Sequence, residues 1–234
     1  MNTSSSCSRS TYYSSLRNKI FHKASILSID AMNQIGRTQC PEHRILNRTR
    51  TDFMARVAVI DPQTATGEAK QLLDAVQSGL GMVPNFIRVL ANSPVALNAF
   101  LGLHGIAGAG VLDERTRERI ALAVAEQNAC QYCVSAHTAI GRKVGLDNDE
   151  MLANRRGRSL DAKAEAALIF AHALVEHTGQ VSKAEFEAVR AAGHSDAEII
   201  EIITHVAMNI FTNLLGKATE VEIDFPKVEL NTAA

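Results

Sequence analysis

The sequence places one amphipathic helical segment after another, and this succession constrains the fold more than any other feature. Between about residues 66 and 217, apolar side chains recur every three or four positions in most segments. Two segments begin with the capping-box pattern that closes a helix N-terminus, Ser182 with Glu185 and Ser195 with Glu198. We therefore predict an all-α bundle of about seven to eight helices.

The amino-acid composition favours the same fold class. Apolar residues make up 46% of the 234 residues, but aromatic residues only 5%, and there is no Trp. Strands favour β-branched and aromatic side chains, whereas helices tolerate a chain rich in Ala. The alternation of strands and helices that builds thioredoxin or Rossmann folds is missing. Only a short lead-in, MARVAVIDP, and a tail, EVEIDFP, are expected to be extended.

The overall charge gives no reason to expect a nucleic-acid or membrane partner. The formal net charge is -1, too small for a broad attraction to either. No apolar run approaches the roughly 20 residues needed to cross a bilayer.

Residues 1–53 differ in composition from the rest. They carry eight Lys and Arg, three Asp and Glu, and nine of the fifteen Ser. We interpret them as a disordered extension or a stretch upstream of a true start at Met54; a transit peptide and a basic arm for a partner are alternatives. The domain is predicted to span residues 54–234, in the cytoplasm, or in a mitochondrion or other organelle if the extension is a transit peptide.

The stretch EQNACQYCVSAH holds the most specific chemical pattern. Cys130, Cys133 and His137 fall at i, i+3 and i+7, so they share one face of a helix. Cys130 is expected in the first turn, where free N–H groups and the helix dipole favour a thiolate. A redox site, a metal site and an inert buried pair are all open at this point.

An acid on the preceding helix can meet His137, which argues against an inert buried pair. If the two helices form a hairpin that turns near Asn128, Glu118 and His137 both lie roughly 14–15 Å from the turn and face each other. Glu126 is nearer the turn and can reach Cys130 instead.

These residue types fit a thiol peroxidase. His137 can take the Cys133 proton, directly or through a water, while Glu118 orients the imidazole. The Cys133 thiolate can attack a peroxide and become a sulfenic acid, and Cys130 can condense with it to a disulfide. An external dithiol is then needed to restore the pair.

The stretch RERIALAVAEQNACQYCVSAHTAIGRKVG resembles the AhpD-like (alkylhydroperoxidase D) family of the carboxymuconolactone decarboxylase superfamily. The segments GMVPNF, NIFTN and EIDFP look like its uncharacterised peroxidase-related branch, and the resemblance covers about residues 54–226. It implies an all-helical homotrimer or homohexamer that reduces organic hydroperoxides. Cys133 would be the peroxidatic thiol, Cys130 the resolving thiol, and Glu118 with His137 the proton relay. No bound cofactor or metal is expected, but a reductant protein carrying a dithiol of dihydrolipoamide or thioredoxin type is.

One departure from the family pattern lies between the cysteines. AhpD has a relay histidine there, whereas Tyr132 is a poor base at neutral pH that can still donate a hydrogen bond. Tyr132 and Glu126 are therefore candidates for residues that assist the relay. A dithiol–disulfide exchanger or redox sensor with little peroxidase activity is therefore an alternative. A non-catalytic zinc protein is another, with Glu118 as the fourth ligand beside the two thiols and His137.

Two further patterns receive structural interpretations. The charges at residues 115–119 are interpreted as a solvated helix face. The i, i+4, i+8 spacing of His205, Asn209 and Asn213 is compatible with a polar stripe that lines a subunit interface, but His205 is interpreted as a surface or core residue and no role is assigned to the three.

Overall fold

The computed structural model describes residues 56–231, which contain nine helices and no β-strand. Residues 1–53 and the predicted boundary at residue 54 lie outside the described residues. The helices are α1 Gly67–Leu80, α2 Asn85–Leu90, α3 Pro94–Ala107, α4 Glu114–Gln127, α5 Gln131–Lys143, α6 Asn148–Asn154, α7 Ala162–Glu176, α8 Lys183–Ala191 and α9 Asp196–Thr219. The all-α prediction is confirmed, and the nine helices exceed the predicted seven to eight; α2 and α6 are short, at six and seven residues.

Local capping signals set where the helices begin. Asp113 caps α4 by accepting a hydrogen bond from the backbone N–H of Thr116 at 3.0 Å. Both predicted capping boxes are present, at Ser182 and at Ser195, with the reciprocal hydrogen bonds formed in each. Each cap satisfies N–H groups that a helix start leaves without a partner.

The central element is α4, which packs against α5, α7 and α9. It is surrounded on several sides, so its apolar residues extend around the helix instead of forming one stripe. Ile120, Leu122 and Val124 are fully buried, and the alanines between them allow neighbouring helices to approach closely. The helix that carries Glu118 is therefore held rigidly in the core.

A charged residue at the start of α4, Arg119, is not solvated, which corrects the sequence interpretation. Arg119 is buried and donates a hydrogen bond to Glu150 of α6 at 2.7 Å. Glu150 also accepts hydrogen bonds from Asn154, Ser159 and the backbone N–H of Leu160. Burial alone would raise the pKa of Glu150, but these hydrogen bonds outweigh burial and lower that pKa to about 2.

The long helix α9 has a high mean hydropathy although it contains no long uninterrupted apolar run. Among the described residues it is the one helix with the length and apolar composition to cross a membrane, because isolated polar residues interrupt its apolar run without lowering its mean hydropathy much. About 44% of that apolar window is buried inside the protein, where α9 packs against α4 and α7. Core helices of globular proteins reach the same length and mean hydropathy, so these two properties alone do not identify a membrane-spanning helix.

After α9, residues 220–231 form an extended tail that crosses the start of α5. The backbone N–H of Val228 donates to Ser135 Oγ at 3.0 Å, and Gln131 donates to the carbonyl oxygen of Val228. Arg155 donates to the carbonyl oxygen of Glu229 at 2.6 Å. The tail is thus fastened over the helix that carries the two cysteines.

Candidate active site

The two cysteines lie where the chain turns from α4 into α5. Ala129 has a positive φ of 50°, which reverses the chain, and Cys130 is the N-cap residue of α5, one position before the predicted first turn. Cys130 and Cys133 form a disulfide, with Cα atoms 5.3 Å apart. The backbone N–H of Cys133 donates to Cys130 Sγ at 3.4 Å. This N–H and the helix dipole would stabilise a thiolate at Cys130 after reduction.

Both sulfurs are covered by protein. Cys130 is 1% exposed and Cys133 is 3% exposed. They belong to an apolar cluster that also contains Val221 and Ile223 of the tail. A redox pair in this setting is shielded from bulk solvent.

The predicted contact between the acid and the histidine is present. His137 Nδ1 lies 2.8 Å from Glu118 Oε2, and the two side chains are 22% and 16% exposed. If Nδ1 carries the hydrogen and donates a hydrogen bond to Glu118, Nε2 has a free lone pair and can act as a base. The prediction that His137 is mostly buried holds only in part, because its ring reaches the surface.

His104 of α3 was not assigned a role from the sequence, yet it lies near this pair. Partial burial of its ring, followed by the nearby His137, lowers the pKa of His104, whereas Glu118 opposes the shift. Its ring centroid is 5.8 Å from that of Phe100. The sequence places His104 in the glycine-rich end of its helix, and no helical spacing links that position to α4 and α5.

Tyr132 points away from the pair that it was expected to assist. Its hydroxyl donates to Asp224 Oδ1 of the tail at 2.9 Å and accepts from the backbone N–H of Phe86 at 3.2 Å. Burial raises the pKa of this phenol, and the negative charge of Asp224 raises it further. Tyr132 is thus a neutral hydrogen-bond donor that fastens the tail.

Glu126 is likewise engaged elsewhere and does not reach Cys130. Its Oε2 accepts from Arg155 Nε at 2.6 Å, and its Oε1 accepts from the backbone N–H of Asn231 at 2.6 Å. It therefore anchors the end of the tail.

The polar stripe of α9 is buried within the protomer, so it does not line a subunit interface. His205, Asn209 and Asn213 are all buried. Asn213 Oδ1 accepts from Asn128 Nδ2 at 2.9 Å, and Lys217 donates to the carbonyl oxygen of Asn128 at 2.7 Å. These contacts fix the turn that precedes Cys130.

The residues of the zinc interpretation are not arranged as a metal site. Within residues 56–231, no group of three or more His, Cys, Asp and Glu side chains is placed to hold a metal ion. The two sulfurs are bonded to each other, and Glu118 contacts the His137 ring directly.

The site lies within the part of the chain that matches a known family. The model of the carboxymuconolactone decarboxylase family matches residues 94–177, from α3 to just past α7. A relative from Paracoccus denitrificans, named uncharacterized protein 4 in cox locus, is 34% identical over 77 residues, which cover 32% of this chain and 67% of the relative.

Solved structures share the fold over a longer range. An uncharacterized peroxidase-related protein from Silicibacter sp. TM1040 is 27% identical, covers 75% of this chain and 95% of its own, and has a TM-score of 0.65. An uncharacterized peroxidase-related protein with an alkylhydroperoxidase AhpD core, from Ralstonia eutropha JMP134, is also 27% identical. The match covers 74% of this chain and 94% of that protein, with a TM-score of 0.65. The debrominase Bmp8, at 20% identity and a TM-score of 0.61 over 76% of this chain and 94% of its own, shares the fold.

Proposed function

Because this chain belongs to the carboxymuconolactone decarboxylase family, on its AhpD-like side, we propose that it is a thiol-dependent peroxidase that reduces organic hydroperoxides. The observation that carries the proposal is the combination of two features on adjacent helices. A buried, bonded Cys130–Cys133 pair begins α5, and a contact of 2.8 Å joins His137 to Glu118 one turn further along. A fold shared with a debrominase shows that scaffold alone does not assign the reaction.

The first step oxidises Cys133. His137 removes the thiol proton through a water or after a small rotation, and Glu118 stabilises the resulting imidazolium. The thiolate attacks the terminal oxygen of the hydroperoxide and breaks the O–O bond. Cys133 becomes a sulfenic acid, and the alkoxide takes a proton and leaves as an alcohol.

The second and third steps return the site to its starting state. The Cys130 sulfur attacks the sulfenic sulfur, which forms the disulfide and releases water. A dithiol then reduces the disulfide and is itself oxidised to a disulfide. We propose that this dithiol belongs to a partner protein with a dihydrolipoamide or thioredoxin type of group, and that the enzyme needs no bound cofactor.

The test measures consumption of an organic hydroperoxide by metal-free protein with a dithiol reductant. We expect turnover by the wild type, no turnover by Cys133→Ser, and a single turnover by Cys130→Ser that ends with a sulfenic acid on Cys133. A Cys7→Ser, Cys40→Ser double variant controls for loss of cysteines outside the pair and should turn over like the wild type.

Other outcomes would identify a different function. A protein that cycles between dithiol and disulfide without consuming peroxide is an exchanger or a redox sensor. Stoichiometric zinc that is released only on unfolding would identify a metal-binding structural protein.

A further inference from the structure

Helix α9 crosses the redox pair at a glycine. A Cβ atom placed on Gly216 would lie 3.3 Å from Cys130 Sγ and 3.8 Å from Cys133 Sγ. The same construction at Gly79 of α1 meets nothing within 4 Å. The backbone of α9 at Gly216 is therefore the wall against which both sulfurs rest.

The backbone of Gly216 does not itself require glycine. Its φ is not positive, in contrast to Gly81, which ends α1 at a φ of 75°. Glycine inside a helix is less favourable than alanine, because its unfolded backbone is freer. Gly216 therefore weakens α9 slightly and is not needed for its backbone conformation. What glycine provides at this position is space for the neighbouring sulfurs.

We propose that Gly216 is a positioning residue of the redox site, whose missing side chain leaves the room that the two sulfurs need when the disulfide opens. The inference rests on the proposed function only for its third step, reduction by a dithiol. It concerns the equilibrium between disulfide and dithiol and holds whatever the oxidant is.

The physical reason is the difference in size between the two redox states. Two thiols in contact stand further apart than two bonded sulfurs, and each carries a hydrogen atom. Cys130 and Cys133 are almost completely buried, so the added volume must come from the surrounding protein. Interiors are close-packed, and one extra methyl group beside such a site is felt as overpacking.

Reduction is a thiol–disulfide exchange in two stages. The thiolate of an external dithiol attacks one sulfur of the pair, and the other sulfur leaves as a thiolate and takes a proton. The second thiol of the reagent then displaces the remaining mixed disulfide, so that the protein gains two electrons and two protons and the reagent loses them. The first stage breaks the bond between Cys130 Sγ and Cys133 Sγ, so the two sulfurs move apart beside the wall at Gly216.

The variant Gly216→Ala tests this inference with purified full-length protein and dithiothreitol. The added methyl group is already in close contact with the bonded sulfurs, and we expect it to penalise the bulkier dithiol form more. The equilibrium constant should therefore shift about tenfold or more toward the protein disulfide, and reduction should slow. Alanine is the better helix former, so the variant should fold. Gly79→Ala gives the same chemical change away from the sulfurs and should match the wild type.

Thermal unfolding in both redox states separates this role from a general packing defect. Gly216→Ala should lower the midpoint of the reduced protein more than that of the oxidised protein, whereas a packing defect would lower both equally. In a Cys130→Ala background, which removes the closest sulfur, most of the penalty in the reduced state should disappear.

An unchanged equilibrium constant in Gly216→Ala, or a shift toward the dithiol, would overturn the inference. Neither measurement uses peroxide. If the wild type consumes no hydroperoxide but Gly216→Ala shifts the equilibrium as expected, the proposed peroxidase function fails and the role of Gly216 stands.

Discussion

At the scale of single residues, the contact between Glu118 and His137 decides how the site can handle protons. A neutral imidazole that donates Nδ1–H to a carboxylate keeps Nε2 available as a base. The carboxylate also stabilises the imidazolium that forms when the base takes a proton. Both side chains are partly shielded from water, which strengthens their interaction relative to an exposed pair.

We predict that Glu118→Gln reduces kcat/KM for peroxide reduction by roughly 100-fold while the fold persists, because the amide keeps the size of the side chain but loses the charge. Steady-state measurement of kcat/KM with an organic hydroperoxide checks this. Glu114→Gln, at the exposed start of the same helix, is the matched control and should leave the rate unchanged. Wild-type kinetics in Glu118→Gln would exclude the relay.

The sequence could predict this contact but not the neighbours of Tyr132. Glu118 and His137 lie on two helices joined by a short turn, so helical spacing alone brings them together. Tyr132 bonds to Asp224, which is 92 residues away along the chain, through a tail without helical periodicity. No spacing rule connects such distant segments. The sequence therefore predicts Tyr132 beside the relay, whereas in the structure its hydroxyl holds the tail.

At the scale of elements, the buried ion pair of Arg119 and Glu150 joins α4 to α6. The same carboxylate accepts hydrogen bonds from the loop that leads into α7, so one side chain holds three segments. From the sequence alone, the charged side chains at the start of α4 are expected to face solvent. Burial of Arg119 follows only from α6 folding back over α4, which is a tertiary event.

We predict that Glu150→Gln destabilises the protein by about 3 kcal/mol at pH 7, because it leaves Arg119 buried without its charged partner. The folded-state pKa of about 2 lies below the ordinary 4.5, so the stabilisation is present above pH 4.5 and is lost as the pH falls toward 2. Urea unfolding across this range measures it. The wild type should lose stability in that window, and the variant should show a flatter dependence.

The control for this prediction is Glu187→Gln, which removes a carboxylate from a pair with Arg190 that is about half exposed on both sides. Exposed pairs contribute little, so we expect a change below about 1 kcal/mol. Equal effects of the two variants would contradict the special position of Glu150.

At the scale of the whole molecule, large apolar side chains remain exposed on α3 and α9. Val95 is 76% exposed and Ile106 is 70% exposed, and their separation of eleven residues places them on one face of α3. Leu214 of α9 is exposed as well. On the basis of this apolar surface, we propose that the protein forms the homotrimer or homohexamer that the family resemblance implies.

We predict that a Val95→Asp, Ile106→Asp double variant reduces the assembly to monomers, because burying two carboxylates at an interface is costly. Light scattering of the eluting protein measures the mass of each species. Leu160→Asp places one carboxylate at a comparably exposed site, before α7, and should leave the assembly intact. A wild type that elutes as a monomer at all concentrations would contradict the proposal.

The general architecture was the part of the molecule most open to sequence reasoning. Capping boxes and amphipathic spacing are local signals, so Ser182 and Ser195 mark helix starts correctly. The burial of Asn209 and Asn213 depends on which face of α9 meets α4, and their spacing gives the face but not its neighbour. Fold class follows from local rules, whereas the pairing of faces does not.

The position of Tyr132 also makes the chain its own optical reporter. The protein has no Trp and three Tyr, and Tyr132 is the only one within residues 56–231. It stands between Cys130 and Cys133 in the sequence and packs in the same cluster. A disulfide quenches the fluorescence of a nearby phenol by electron transfer, and two thiols do so less effectively. Tyrosine emission should therefore brighten on reduction and dim on oxidation, so that the redox state of the site can be followed in real time without any added dye.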